Sequence, residues 1–254
     1  MNTSPIMRNL IALLLFAFSS ASSAQDYEQL MRAHMQPQGI TMEPNNDPYE
    51  PLDFTGSFRM EIEIFKNGAT KGEQLSARYA LKDDKMSVEM KMGEQPEPMR
   101  MLYDLRGKWN YVMVSDGEKR TAMKMRMMKM TKAGATAEPE KSTFERTDAM
   151  KTIEGHGCRK YLGSDSKGNW EAWVAEDVKL DVAKAMRQIS GDKDLDQWQG
   201  LKDIGGMALE MVWTKKEASE KMNITVHDLQ MGSVDEALFS LDGYSVMEMP
   251  SMPR

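Results

Sequence analysis

Phe58-Arg59-Met60-Glu61-Ile62-Glu63-Ile64 places a large apolar side chain at every second position, with a charged residue between each pair. Successive side chains of a strand point to opposite faces, so this pattern reads as a strand with one packed face and one wet face. The same period recurs on both sides of it. Asn67-Gly68 supplies a turn, and Leu75, Ala77, Tyr79 and Leu81 form the return strand. Met86, Val88, Met90 and Met92 follow, then Met99, Met101, Tyr103 and Leu105, and after Arg106-Gly107-Lys108 come Trp109, Tyr111 and Met113. Met123, Met125 and Met127 alternate with Lys124 and Arg126, and Met128 and Met130 then continue on the opposite parity. A one-residue slip of this kind is what a β-bulge produces, keeping both methionine sets on one face while bending the strand. Met222, Ile224 and Val226 give way to Leu229 and Met231 by the same slip. Two bulges predict a strongly curved sheet.

The remaining segments fill in a mainly β chain of α+β type. Tyr27, Leu30, Met31, His34 and Met35 mark one face of a short amphipathic helix, and Pro37, Pro44, Pro48 and Pro51 punctuate a non-helical connection after it. A polar loop over 131–142 precedes strands near Phe144–Ile153, Cys158–Leu162 and Trp170–Val174. Val178, Val182, Ala185, Met186 and Ile189 have helical spacing, and a second helical stretch through Leu195, Trp198, Leu201 and Ile204 stops at Gly205-Gly206. Glu176-Asp177 reads as the charge and cap at the start of the first of these helices. Met207, Leu209, Met211 and Trp213 return to period two. The expected architecture is one antiparallel meander, interrupted by helices over about 177–204 that cover one face of the sheet. The expected divisions are a leader over 1–24, a helix and Pro-rich connection over 25–55, one domain over 56–249 and a tail over 250–254.

With 41% hydrophobic and 28% charged residues in 254, the chain has enough apolar content for a core. Its 33 Lys and Arg against 39 Asp and Glu give a formal charge of -6, which excludes a general attraction to nucleic acid. Met7-Arg8, the apolar run Leu10–Phe18 and the small residues Ser22 and Ala24 read as a secretory signal peptide cut after Ala24. Met7 would itself make an ordinary leader start, so Met1 and Met7 both stand as initiators. The apolar run is well short of the roughly 20 residues that span a bilayer. The expected destination is the periplasm or the exterior. There the single Cys158 has no intramolecular disulfide partner, and a buried, inert thiol is the expectation.

Four stretches carry a family resemblance: Tyr103-Asp104-Leu105, Thr152-Ile153-Glu154-Gly155-His156-Gly157-Cys158-Arg159-Lys160-Tyr161, Glu171-Ala172-Trp173-Val174-Ala175 and Ala237-Leu238-Phe239-Ser240-Leu241-Asp242-Gly243-Tyr244. In their order they resemble the exported bacterial family known as domain of unknown function forty-four twelve, from about Gly56 to Met249. These are hairpin and strand motifs without a catalytic signature. The resemblance implies a lipoprotein-carrier-like fold, an unclosed antiparallel barrel whose concave face is plugged by helices and takes up acyl chains. A fold implies a scaffold and not a function.

The 26 methionines, about a tenth of the chain, are the compositional outlier. Met is unbranched and polarisable, so a Met-lined surface adapts to ligands of varied shape. The expected ligand-binding face carries Met60, Ile62, Met90, Met101, Tyr103, Trp109, Met125, Met127, Met211 and Trp213, and its expected occupant is a lipid or acyl chain. The plain alternative is that these residues fill a packed interior. A second alternative is copper, because Met123, Met125, Met247, Met249 and Met252 occur as Met-x-Met or near-spaced sets and soft thioethers select Cu(I). A third is a structural module that docks an envelope partner. Lys119, Arg120, Lys124, Arg126, Lys129 and Lys132 make a basic stripe, either a solvated face or a contact for anionic headgroups. No enzymatic activity and no cofactor are expected. His34, His156 and His227 are isolated, and Gly155-His156-Gly157-Cys158 reads as a hairpin turn rather than a nucleophile with its base.

Overall fold

A computed structural model describes residues 40–70, 74–91, 98–115, 119–132, 143–164, 168–190, 205–216 and 219–249. The leader, the expected helix at Tyr27–Met35, Met92, most of the 131–142 loop, the second helical stretch at 195–204 and Met252 lie outside these residues.

The alternating segments form the strands that their spacing predicts. The first half of the chain contains β1 (Ile40–Pro44), β2 (Gly56–Lys66), β3 (Ala69–Thr70), β4 (Leu75–Lys82), β5 (Lys85–Met90), β6 (Met99–Asp104), β7 (Trp109–Ser115), β8 (Arg120–Arg126) and β9 (Met128–Lys132), of which β2–β8 form a first meander, while β1, a strand in the stretch expected as a Pro-rich connection, pairs only with β9. A second contains β10 (Thr143–Ile153), β11 (His156–Ser164), β12 (Gly168–Ala175), β13 (Met207–Lys215) and β14 (Glu220–Met231), and β15 (Ser245–Glu248) follows. The two meanders join because β14 pairs with β2, giving the order β10-β11-β12-β13-β14-β2-β4-β5-β6-β7-β8-β15. Every pairing in that sheet is antiparallel except that of β15 with β8. β10 and β15 do not pair with each other, so the sheet is open. Its β10 edge is guarded by Glu145, Arg146, Asp148 and Lys151 and by a register shift between Arg146 and Met150, features that discourage a further strand from adding.

The two expected slips have different outcomes. At Asp228, φ is 56° and the β14–β2 register shifts between His227 and Gln230, which returns Leu229 to the core. That is a bulge, as the spacing predicts. At Met127 the strand instead breaks: the Met127 N–H donates to the Lys108 carbonyl at 3.0 Å, the Met127 carbonyl accepts from the Asn45 N–H at 2.8 Å, and β9 pairs with β1 in a separate two-stranded sheet.

One face of the large sheet, called the inner face below, carries two linked clusters. Phe58, Leu81, Met86, Val88, Tyr103, Leu105, Leu209 and Val226 belong to the first, and Tyr161, Trp170, Ala172, Met211 and Ile224 to the second, with Met60 packed against both. The outer face of β4–β8 is covered by the chain after β14. Leu238 and Phe239, in a 3-10 turn over Glu236–Phe239, pack on Ala80, Leu102, Met113 and Ala122. Arg100 pins this strap by donating to the carbonyls of Ala237 at 3.1 Å and Ser240 at 3.2 Å.

The helical cover expected over 177–204 is helical only at α1 (Val182–Ser190) within the described residues. Val178 and Leu180 are buried in the first cluster before the helix starts. The residue that starts it is Asp181, whose Oδ1 accepts from the Lys184 N–H at 2.7 Å, and not Glu176-Asp177. A helix of nine residues does not make a lid over a sheet of thirteen strands. The described cover of the inner face is α1 together with the irregular segment around Asn45–Phe54, of which Leu52 and Phe54 enter the same cluster. Gln188 ties the two: its Nε2 donates to the Glu50 carbonyl at 2.7 Å, its Oε1 accepts from the Glu50 N–H at 3.0 Å, and its own carbonyl accepts from Asn45 Nδ2 at 2.8 Å. With Gln188 6% exposed, removing its amide leaves the part-buried Glu50 N–H and carbonyl without these partners. Gln188→Ala is therefore expected to lower the unfolding free energy by about 1–3 kcal/mol, measured by denaturant unfolding, with loss of protection at the Glu50 amide in hydrogen exchange.

Candidate functional site

Directly opposed residues on neighbouring strands share a face, so the register assigns the inner face position by position. One row runs Phe58–Tyr79–Val88–Met101–Val112–Met123 and ends at Met247 on β15. A second runs Leu81–Met86–Tyr103–Asn110–Met125. A third runs Val226–Met60–Ala77–Met90–Met99. In the second meander Met211–Ile224–Ile62 and Trp213–Met222–Ile64 continue the same face. Trp170 of that half lies across Gly163, where a Cβ would come within 2.0 Å of the indole ring, so only glycine permits this packing.

Of the ten expected face residues, Met60, Ile62, Met90, Met101, Tyr103, Met125, Met211 and Trp213 lie together on the inner face by register. Met127 joins it by burial in the first cluster. Trp109 does not. Its partners are Asp104 and Arg126, which places it on the outer face, with Lys124 Nζ and the Arg126 guanidinium each 3.9 Å from its ring centroid. Trp109-Asn110-Tyr111-Val112-Met113-Val114 is apolar on both parities apart from Asn110, so alternation alone does not say which set points inward. The inward set is Asn110, Val112 and Val114.

Two buried polar groups beside this face are not revealed by the spacing. Asn110 Oδ1 and Lys108 Nζ are buried without a hydrogen-bond partner. Burial pushes the Lys108 ammonium below its ordinary pKa, while Asp47 opposes the shift. Tyr103 is buried and its phenol is pushed upward by desolvation; it stays protonated and donates to Met101 Sδ at 3.3 Å. Lysine immediately before a strand is commonplace; this one has a left-handed φ of 59° and feels the charges of Asp47 and Glu50.

The other candidates resolve into internal contacts. The Cys158 thiol is buried, burial raises its pKa, and it donates to the His156 carbonyl at 3.5 Å and not to the ring. His156 Nδ1 lies 2.7 Å from Asp177 Oδ2, so the imidazole is engaged away from the thiol. The pair is not an activated nucleophile. His227 Nε2 lies 3.5 Å from Glu61. Among the described residues no group of three or more His, Cys, Asp or Glu side chains is arranged to hold a metal. The basic stripe is engaged within the chain: Arg120 lies over Tyr244, Lys124 bonds Glu248 at 2.9 Å, Arg126 lies over Trp109 and Lys129 bonds Asp47. No described helix is long and apolar enough to cross a membrane.

The described residues thus form an open, mainly antiparallel sheet with one apolar, Met-rich face. The chain belongs to the family described as domain of unknown function DUF4412, whose model matches residues 54–243. No curated protein matches the sequence. Among solved structures, PNGF-II aligns at 12% identity and a TM-score of 0.35 over 76% of this chain, and the chain spans 31% of that one. The LolA superfamily protein NE2245 from Nitrosomonas europaea aligns at 6% identity and a TM-score of 0.30, covering 77% of this chain and 92% of that one. The Pseudomonas aeruginosa MucA/MucB complex aligns at 9% identity and a TM-score of 0.39, covering 77% and 59%.

Glu176 joins β10 to β11 beside this face. Its carboxylate accepts from Arg146 Nε at 2.8 Å, Arg146 Nη2 at 2.9 Å and the Tyr161 hydroxyl at 2.7 Å, and these bonds hold its pKa down at about 2, against an ordinary 4.5. The His156 contact lowers Asp177 in the same direction. A carboxyl that is more acidic folded than unfolded contributes stability above its unfolded pKa and loses it as pH falls toward its folded one. Glu176→Gln should therefore lower Tm at pH 6, and the gap from the parent protein should close between pH 4.5 and about 2, followed by thermal melts across that range.

Proposed function

We propose that this is an exported, non-enzymatic envelope protein that holds a hydrophobic ligand, or the acyl chain of a partner, against the Met-lined inner face of its sheet. The observation that supports this reading is the partial cover of that face. Met60, Met90, Met101, Met123 and Met125 share it by register, yet each is only partly buried in a sheet whose closed core is supplied by other residues. Flexible thioether side chains repack around chains of differing length at low cost in strain, which suits a surface that fills and empties. Export rests on residues 1–24, read as a signal peptide cut after Ala24.

Native mass spectrometry of the protein released from the periplasm without detergent tests both parts. The expected polypeptide begins at Gln25 and carries a lipid-sized adduct that is lost on denaturation. Met101→Asp with Met125→Asp should abolish the adduct while the thermal transition persists. An adduct retained in that folded variant rejects the face, and a bare mass in the parent, with a protein partner recovered in stoichiometric amount, favours a structural docking module instead.

A further inference from the structure

We propose that Met123, Met125, Met247 and Met249 form a soft-metal site that takes up Cu(I) at the β8–β15 edge of the sheet. Two pairs of methionines far apart in the sequence meet there because β15 runs parallel to β8, with Ser245 opposite Thr121, Val246 opposite Ala122, Met247 opposite Met123 and Glu248 opposite Lys124. The ladder continues past the end of β15, where the Met249 N–H donates to the Lys124 carbonyl at 2.9 Å. Opposed residues share a face, and residues two apart on one strand share it too. Met247 and Met123 therefore face the same way, and Met249 and Met125 lie one step further along the same side. Neighbouring strands are about 4.8 Å apart and residues two apart along a strand about 6.5–7 Å. Four unbranched side chains rooted at such corners converge without backbone movement.

The site differs from the methionines deeper on the face in two respects. Met247 is 55% exposed, so its thioether does not serve as core filling and is open to a metal delivered from solution. The charged side chains of the two strands are turned to the other side, where Lys124 and Glu248 pair at 2.9 Å. On the methionine side the flanking positions are Thr121, Ser245, Val112 and Asn110, none of which brings a carboxylate, imidazole or thiol. A cluster of neutral sulfur donors without hard or strongly basic competitors selects a soft monovalent ion over Cu(II), Zn(II) or calcium. Thioethers do not titrate, so uptake should be insensitive to acidification.

The test is a competition titration of the whole exported protein with Cu(I) against a chromophoric Cu(I) chelator, under reducing conditions, with Ag(I) as a redox-inert second probe. One Cu(I) per chain is expected, with affinity changing less than about threefold between pH 7 and pH 5. Met247→Leu with Met249→Leu, which keeps apolar volume and removes sulfur, should weaken binding at least tenfold. Cys158→Ser and Met231→Leu, the latter an exposed methionine remote from β15, should leave it unchanged. In protein labelled with 13C at the methionine methyls, Ag(I) should shift four signals; the Leu variant lacks those of Met247 and Met249, and those of Met123 and Met125 should no longer shift in it. Full affinity in the Met247→Leu, Met249→Leu variant, loss of binding in Cys158→Ser, or no uptake at micromolar metal each overturns the site. Retention of a lipid adduct by the Leu variants keeps this outcome separate from that of the acyl-binding reading, since Leu preserves apolarity.

Discussion

The pairing of β14 with β2 is the constraint on which the rest depends. It joins the first long strand of one meander to the last long strand of the other, from Glu220 opposite Lys66 to Met231 opposite Gly56. Without it each meander would present a long unpaired edge and half an apolar face. With it, Ile62 meets Ile224 and Met60 meets Val226, and the two core clusters share Met60 as a common neighbour. The bulge at Asp228 lies in this ladder, and it sends Leu229 back into the core before the chain crosses to the outer face. A ladder closed across most of the chain carries a large loop-closure entropy, so the many local hairpins beside it are expected to form first.

The two faces use similar residues for different ends. On the outer face of β4–β8 the strap from Gly232 to Tyr244 supplies Leu238 and Phe239, and Met113 beneath it is fully buried. That packing is complete within the chain. On the inner face Met86 and Met99 are buried, Met60, Met90, Met101, Met123 and Met125 are half-buried, and Met247 is exposed. The charges on the rim are taken up by internal partners: Glu176 holds Arg146 and Tyr161, and Trp109 lies under Lys124 and Arg126.

Much of this was legible in the residues. Alternation located the strands from Phe58 through Trp213, the Gly-bearing turns located most hairpins, and eight of the ten expected face residues share one face by register. The failures have specific causes. Trp109-Asn110-Tyr111-Val112-Met113-Val114 is apolar on both parities, so the larger side chains suggested the wrong inward set. The slip at Met127 looks like a bulge because the parity changes, yet what changes is the partner strand, from β7 to β1. Glu176-Asp177 has the composition of a helix start, but both carboxylates are engaged by Arg146, Tyr161 and His156, and Asp181 caps α1 instead.

The sequence by itself determined which segments are strands and that one side of each is apolar, because the period of two is a local property written in neighbouring residues. It also determined the excess of methionine and the absence of an intramolecular disulfide. Only the tertiary structure decided which strands are neighbours, and with them the meeting of Met247 with Met123, the outward turn of Trp109 and the buried, unpaired positions of Lys108 and Asn110. Strand partners are chosen by the global competition among many similar amphipathic strands, and no local pattern encodes the outcome of that competition.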